Sequence, residues 1–311
     1  MNRCPITYEE IGENANYSVS GLHLLSRNLD DLQVFPYDMD EQIQLAKEMA
    51  TKISIQGVQP KLSARLDVRQ QIFIPVEIMG RYILKPQNQL YSYLPENEDL
   101  TMKLAAIAGC EVPLHGLIRS KDGRLTYFIK RFDRRGRAGK LPVEDFAQLA
   151  GLSRDTKYEY SIEKVIGLLD KYMTFPVIEK AKFFRLFLVN FLLGNEDAHL
   201  KNYSVITRSQ KQELSPCYDL INSTLAMEGR ASEESALPLN GKKRKLARND
   251  IVRYLGGQRL SLTEKTLNSI LSEVKRAAQL WPDVIAQSFI PPKYIAAYRD
   301  IVQDRYKRVF E

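Results

Sequence analysis

The stretch Leu193-Gly194-Asn195-Glu196-Asp197-Ala198-His199-Leu200-Lys201-Asn202, followed at a distance by Tyr218-Asp219-Leu220, decides how the rest of the chain is read. Asp197 and Asn202 stand with four residues between them. Loops that carry out phosphoryl transfer hold a hydroxyl-activating Asp and a metal-binding Asn at this spacing. Between Asn202 and Asp219 the pattern predicts a hairpin: Tyr203 to Thr207 extended, Arg208 to Lys211 as a polar turn, and Leu214 to Cys217 returning. That hairpin would set Asp219 beside Asn202, where a second oxygen ligand could hold Mg²⁺ against a triphosphate. Asp and Asn are also ordinary turn and cap residues, and Gly194-Asn195 alone would end a helix. Support therefore has to come from the rest of the chain.

Composition sets the bounds. The 311 residues are 44% hydrophobic and 27% charged, enough for one large domain or two lobes with their own cores. The formal charge of +7, with a pI near 9.1, suits phosphate-bearing ligands or acidic partners. Cys4, Cys110 and Cys217 share no metal-site spacing and read as reduced thiols of a cytoplasmic protein. With only His23, His115 and His199 present, a histidine-rich metal centre is excluded. No leader pattern opens the chain, and the most apolar run, Phe183 to Leu193, is too short for a bilayer, so no membrane role is expected.

Residues 1–38 are turn-rich and read as an N-terminal arm, either docking or wrapping a surface. A helix fits Asp40 to Met49. Lys52 to Leu66 then reads strand, Gly57 turn, strand; such a turn can lay backbone N–H groups over phosphates, and is equally a plain hairpin. Ile72 to Ile78 and Arg81 to Lys85 continue as strands, with Lys85 ending an apolar run as a phosphate-binding lysine does. The next helix, about Glu96 to Ala108, leaves two readings of Glu98 open: favourable charge at a helix N-terminus, or an ion-pair partner that orients Lys85. Strands at Leu114 to Arg119 and Leu125 to Phe132 complete a five- or six-stranded antiparallel sheet. From Leu141 the chain is mainly helical, with helices expected at Asp145 to Ala150, Ile162 to Tyr172, Val177 to Leu193, Asp250 to Leu255, Leu262 to Leu280 and Tyr294 to Val309. Trp281-Pro282 is expected to break the last two apart. The Lys242-Lys243-Arg244-Lys245 cluster reads as a solvated face, or else as an acidic-partner or phosphate-backbone contact.

Taken together, these segments resemble the HipA family of serine/threonine kinase toxins. The resemblance is carried, in order, by Ser54-Ile55-Gln56-Gly57-Val58-Gln59-Pro60-Lys61, Tyr82-Ile83-Leu84-Lys85, Glu96-Asn97-Glu98, Arg131-Phe132-Asp133, Glu144-Asp145-Phe146, Lys157-Tyr158-Glu159, the Asn195 to Asn202 loop and Tyr218-Asp219. It implies an α+β, two-lobed protein-kinase-like fold, related to HipA and phosphatidylinositol kinases, with an antiparallel-sheet N-lobe (39–130) and a mainly helical C-lobe (131–311). It further implies Asp197 as catalytic base, Asn202 and Asp219 as Mg²⁺ ligands, and Lys85 on the nucleotide phosphates. Ser54 and Gly57 belong to the phosphate loop, His199 lies near ATP, and Lys130 to Phe132 match the adenine-contacting crossover. The chain looks like the short form (HipT-like), whose missing N-terminal subdomain comes from a separate small HipS-like protein. Gln56 stands where some short forms have a second serine, which leaves Ser54 as the autophosphorylation site. The implied substrate is an aminoacyl-tRNA synthetase, whose phosphorylation inhibits translation. The implied antitoxin is a HipB-like helix-turn-helix protein, through which DNA is met only indirectly. Two other classes compete: a non-catalytic kinase-fold scaffold for antitoxin and DNA, suggested by the basic excess, and a small-molecule or lipid kinase.

Overall fold

In the computed structural model, residues 2–52, 59–136, 139–153, 156–228 and 233–311 are described. Ser54 and Gly57 lie outside them. The chain divides into two compact units: Met1–Leu100 with Pro113–Arg134 and Ala286–Ile290, and Thr101–Val112 with Arg135–Ile285 and Pro291–Glu311. The helix Leu94–Ile107 gives its first turns to one unit and its remainder to the other.

The first unit is built on a five-stranded antiparallel sheet, in spatial order Ile72–Pro75, Leu62–Asp67, Tyr82–Lys85, Leu125–Lys130, His115–Arg119. Alternation sends Leu84 and Phe128 to one face, and Lys85 and Tyr127 to the other. On the first face Phe73, Tyr82 and Phe128 form a ring cluster with centroids 5.1 to 6.1 Å apart. The residues read as an arm pack into this same core: Cys4, Ile6, Leu22, Leu25, Leu29, Leu32 and Phe35 are all buried there. They also close the sheet edge. Leu117 N–H donates to the Pro5 carbonyl (3.2 Å), Phe35 N–H to the Arg119 carbonyl (2.8 Å), and Lys121 N–H to the Phe35 carbonyl (3.0 Å). The outer side of strand His115–Arg119 is thus occupied by the chain's own N-terminal segment.

The second unit is mainly helical. Ile162–Tyr172 forms where its apolar stripe predicts, capped by Ser161 Oγ on the Lys164 N–H. Pro176–Leu192 starts with proline at its first position and is buried almost all round. The helix expected to stop before Pro282 instead runs Glu264–Gln287. Trp281 and Ile285, one turn apart on the buried side, are 0% and 1% exposed, and Trp281 Nε1 donates to the Leu104 carbonyl. That packing outweighs the proline cost of roughly 3 kcal/mol. The expected short helix at Asp250 to Leu255 is longer, Asn249–Arg259, and wound with π-type hydrogen bonds.

The hairpin after Asn202 forms, with a shifted second strand. Its strands are Ser204–Arg208 and Lys211–Leu214, so Leu214 ends the return strand and the run to Cys217 is not extended pairing. The reason is a two-residue turn: Ser209 and Gln210 both take positive φ (49° and 64°), the conformation that matches the twist of paired strands. A third strand, Val143–Asp145, pairs with Ser204–Ile206.

Candidate active site

In the sheet unit, the strand Tyr82–Lys85 delivers Lys85 to the face opposite the aromatic core, 5.6 Å from the Tyr127 ring centre. Glu98 comes from the first turns of the following helix. Its Oε1 lies 2.6 Å from Lys85 Nζ, with the two side chains 1% and 4% exposed. Beside them, Asp99 accepts from the Tyr8 hydroxyl (2.7 Å) and faces His115 Nδ1 (2.8 Å). Glu96 accepts from Gln87 Nε2 at both carboxylate oxygens, and burial pushes its carboxyl up to about 7. Lys130 ends the strand Leu125–Lys130 opposite Tyr82, and its N–H donates to the Leu114 carbonyl. Phe132 follows in the turn, where Arg131 and Asp133 form a two-pronged ion pair (2.9 and 2.8 Å).

In the helical unit, the loop 194–202 begins where Pro176–Leu192 ends. Gly194 sits at φ 76°, its N–H donates to the Phe191 carbonyl, and the Asn195 N–H reaches the Asn190 carbonyl. This is the left-handed helix stop that glycine permits. A Cβ at Gly194 would meet Asn222 Oδ1 at 2.7 Å, so the loop also needs the missing side chain for close approach. Asn195 is a buried brace: its Nδ2 donates to Asn190 Oδ1 (2.9 Å) and its Oδ1 accepts from the Asp197 N–H (3.2 Å). Glu196 turns inward to Arg305 (2.6 Å) and the Thr224 hydroxyl (2.6 Å), and its N–H donates to Ser223 Oγ.

Asp197 Oδ1 accepts from the Tyr158 hydroxyl at 2.6 Å. The Tyr158 pKa moves up, because burial and the adjacent Asp197 both disfavour a phenolate. Lys157 Nζ lies 2.6 Å from His199 Nε2, and the Tyr158 ring meets the His199 ring edge-on at 5.1 Å. Burial holds the His199 pKa below its ordinary value, and Lys157 adds to that, while Asp197 and Asp219 oppose it. His199 thus stands within electrostatic reach of both carboxylates. A short 3₁₀ turn, Leu200–Asn202, carries the chain to Asn202, and Tyr218 ties the return: its hydroxyl donates to the Lys201 carbonyl (2.9 Å) and contacts Ser204 Oγ. Asp219 follows immediately in left-handed conformation, φ 56°. Asp tolerates this region better than most residues, and such backbone gathers at functional sites. Asp145, which caps Phe146–Leu149, holds Lys201 at 2.9 Å.

The described residues contain no cluster of three His, Cys, Asp or Glu side chains fit for a metal. A magnesium site built on Asn202 and Asp219 would be of another kind, with few protein ligands. Asn202 Oδ1 is buried and lacks a hydrogen-bond partner among the described residues. A hard cation that keeps several waters and takes one or two protein oxygens fits such a donor set. The roles of Lys157, Tyr158 and Arg305 were not legible in the sequence; the quoted Lys157-Tyr158-Glu159 segment was the only pointer, and Arg305 stands 109 residues beyond its partner Glu196. Within the basic cluster, Lys242 pairs with Asp250 and Lys243 with Glu233, so half of its charge is already matched.

A two-lobed, protein-kinase-like α+β fold is the class these units define, and solved structures share it. The HipA chain of a Shewanella oneidensis toxin–antitoxin complex of HipA, HipB and operator DNA matches with TM-score 0.69 and 25% identity, over 90% of this chain and 72% of that one. The Helicobacter pylori proinflammatory kinase CtkA matches in fold, with TM-score 0.53 and 17% identity, over 73% of this chain and 84% of that one. The HipA-like C-terminal domain family matches residues 53–281, and this chain belongs to that family. A putative kinase of Haemophilus influenzae is 28% identical over 99% of this chain and 96% of its own length. A putative kinase of Sinorhizobium fredii is 32% identical over 79% of this chain, and the serine/threonine-protein kinase toxin HipA of Shewanella oneidensis 27% over 83%. This chain spans only 63% and 64% of those two relatives. Among the described residues no helix is long and apolar enough to cross a membrane.

Proposed function

We propose that this protein is the kinase toxin of a toxin–antitoxin system, transferring the γ-phosphoryl group of ATP to serine or threonine hydroxyls of a protein. The observation that carries this reading is the buried Lys85–Glu98 pair, at 2.6 Å, in a chain that also holds Asp197, Asn202 and Asp219 within the stretch matched by the family. A lysine fixed by a glutamate is the arrangement by which kinases present one ammonium to nucleotide phosphates. Asp197 accepts the proton of the acceptor hydroxyl as its oxygen bonds to the γ-phosphorus and the bond to the β–γ bridging oxygen breaks. Asn202 and Asp219 would hold Mg²⁺, which when bound neutralises phosphate charge. Lys130 to Phe132 would supply the adenine contact, and Ser54 and Gly57 would serve the phosphates. Phosphate on Ser54, carrying about −1.5 to −2 charge, would repel the nucleotide phosphates and switch the enzyme off. The substrate we assign is an aminoacyl-tRNA synthetase, with translation arrest as the outcome. The partners we assign are a HipB-like antitoxin, supported by the HipA–HipB–DNA neighbour, and a small HipS-like protein.

The test is an intact mass after incubation with ATP and Mg²⁺. Wild type gains one phosphate, and Asp197→Ala and Ser54→Ala gain none. Asp197→Ala also loses transfer to a protein acceptor, by about 10² to 10⁴-fold as expected of a general base. Phosphorylation persisting in Asp197→Ala removes the assignment.

A further inference from the structure

Lys157 lies outside the proposed transfer chemistry, yet its Nζ is 2.6 Å from His199 Nε2. An ammonium has only protons to offer, so across this contact Nε2 accepts. An imidazole that accepts at Nε2 is neutral and carries its proton on Nδ1, since the bond made by one ring nitrogen sets the state of the other. His199 is 7% exposed, and its Nδ1 is buried with no hydrogen-bond partner among the described residues. A buried N–H left without an acceptor is costly, which marks it as a donor kept for a ligand. With the other tautomer the same position would present a lone pair and repel an anionic oxygen.

We infer that Lys157 is a positioning residue that locks His199 as the Nδ1–H tautomer, so that the imidazole offers a hydrogen bond to an anionic oxygen of the nucleotide phosphates. The ligand class rests on the kinase reading above. The tautomer assignment does not, and the experiment separates the two.

The full-length protein, labelled with ¹⁵N-histidine, is examined by long-range ¹H–¹⁵N NMR without nucleotide. With three histidines in the chain, His199→Asn identifies the resonance. Wild type should show His199 protonated at Nδ1, and Lys157→Met, with Lys157→Gln as the second variant, should move the proton to Nε2. MgATP affinity, read by calorimetry, should fall about five- to tenfold in Lys157→Met, the loss of roughly one hydrogen bond. In the His199→Asn background, where an amide N–H stands in for Nδ1–H, the same substitution should cost less than twofold. His199 protonated at Nε2, or at both nitrogens, in wild type overturns the inference. So does an Nδ1–H tautomer that survives both Lys157 variants. If the tautomer switches as stated and wild type binds no MgATP, the nucleotide reading falls and the role of Lys157 stands.

Discussion

The two units fix their candidate functional groups in opposite ways. In the sheet unit the main tie is a buried ion pair: Lys85 and Glu98 meet at 2.6 Å with almost no exposure, beside the buried Asp99–His115 contact. In the helical unit the loop 194–202 is held by many weaker ties, from Asn195, Ser223, Thr224, Tyr158 and Tyr218, together with the buried Arg305–Glu196 ion pair. A group held by one buried charge fails when its partner is removed, because the remaining charge has nowhere to go. A group held by a web yields little at each loss, and drifts.

The sharpest way to break that comparison is Glu98→Gln. It should destabilise the fold by about 3–5 kcal/mol in urea titration, by removing the carboxylate charge that faces the buried Lys85 ammonium at 2.6 Å. Lys85→Met combined with Glu98→Leu should recover most of that stability while phosphoryl transfer stays absent. If Glu98→Gln costs under about 1 kcal/mol, the pair is far wetter than its exposure implies. A smaller effect is expected in the loop. Tyr158→Phe removes a hydrogen bond to a carboxylate and should lower kcat about tenfold, with the ATP KM and the thermal midpoint little changed. A rise in kcat would instead show that the Tyr158 hydroxyl competes with the acceptor for Asp197. The smallest effect concerns Glu96, whose pKa of about 7 in the folded protein lies above its unfolded value. The folded state then holds the extra proton, so this group's contribution is full below the unfolded pKa and fades as pH rises through about 7. Glu96→Gln should flatten the fall in thermal midpoint between about pH 5 and pH 8 that this group causes in wild type.

How much of this could be read beforehand follows from range. Ile162–Tyr172 is set by its own stripe and its Ser161 cap, and the sequence places both ends correctly. The Gly194 stop is equally local, and it fixes where the Asp197 loop begins. Ser209-Gln210 lacks the usual Asn-Gly or Gly signal of a tight hairpin, so the return strand was set too late. Val143–Asp145, at three residues, is too short to leave a pattern. Pro282 reads as a breaker, because the burial of Trp281 and Ile285 that overrides it is tertiary. The catalytic-type residues stand out by type and spacing. The groups that hold them, Tyr158, Lys157 and Arg305, are joined to them only by the fold.

The residues 2–38 along strand His115–Arg119 have a practical bearing on anyone trimming or tagging this chain. Their backbone occupies hydrogen-bonding groups that would otherwise face water in a row, and their side chains cover Phe128 and Phe73. A version beginning at residue 39 would offer a bare template for strand addition above an uncovered greasy surface, the recipe for self-association.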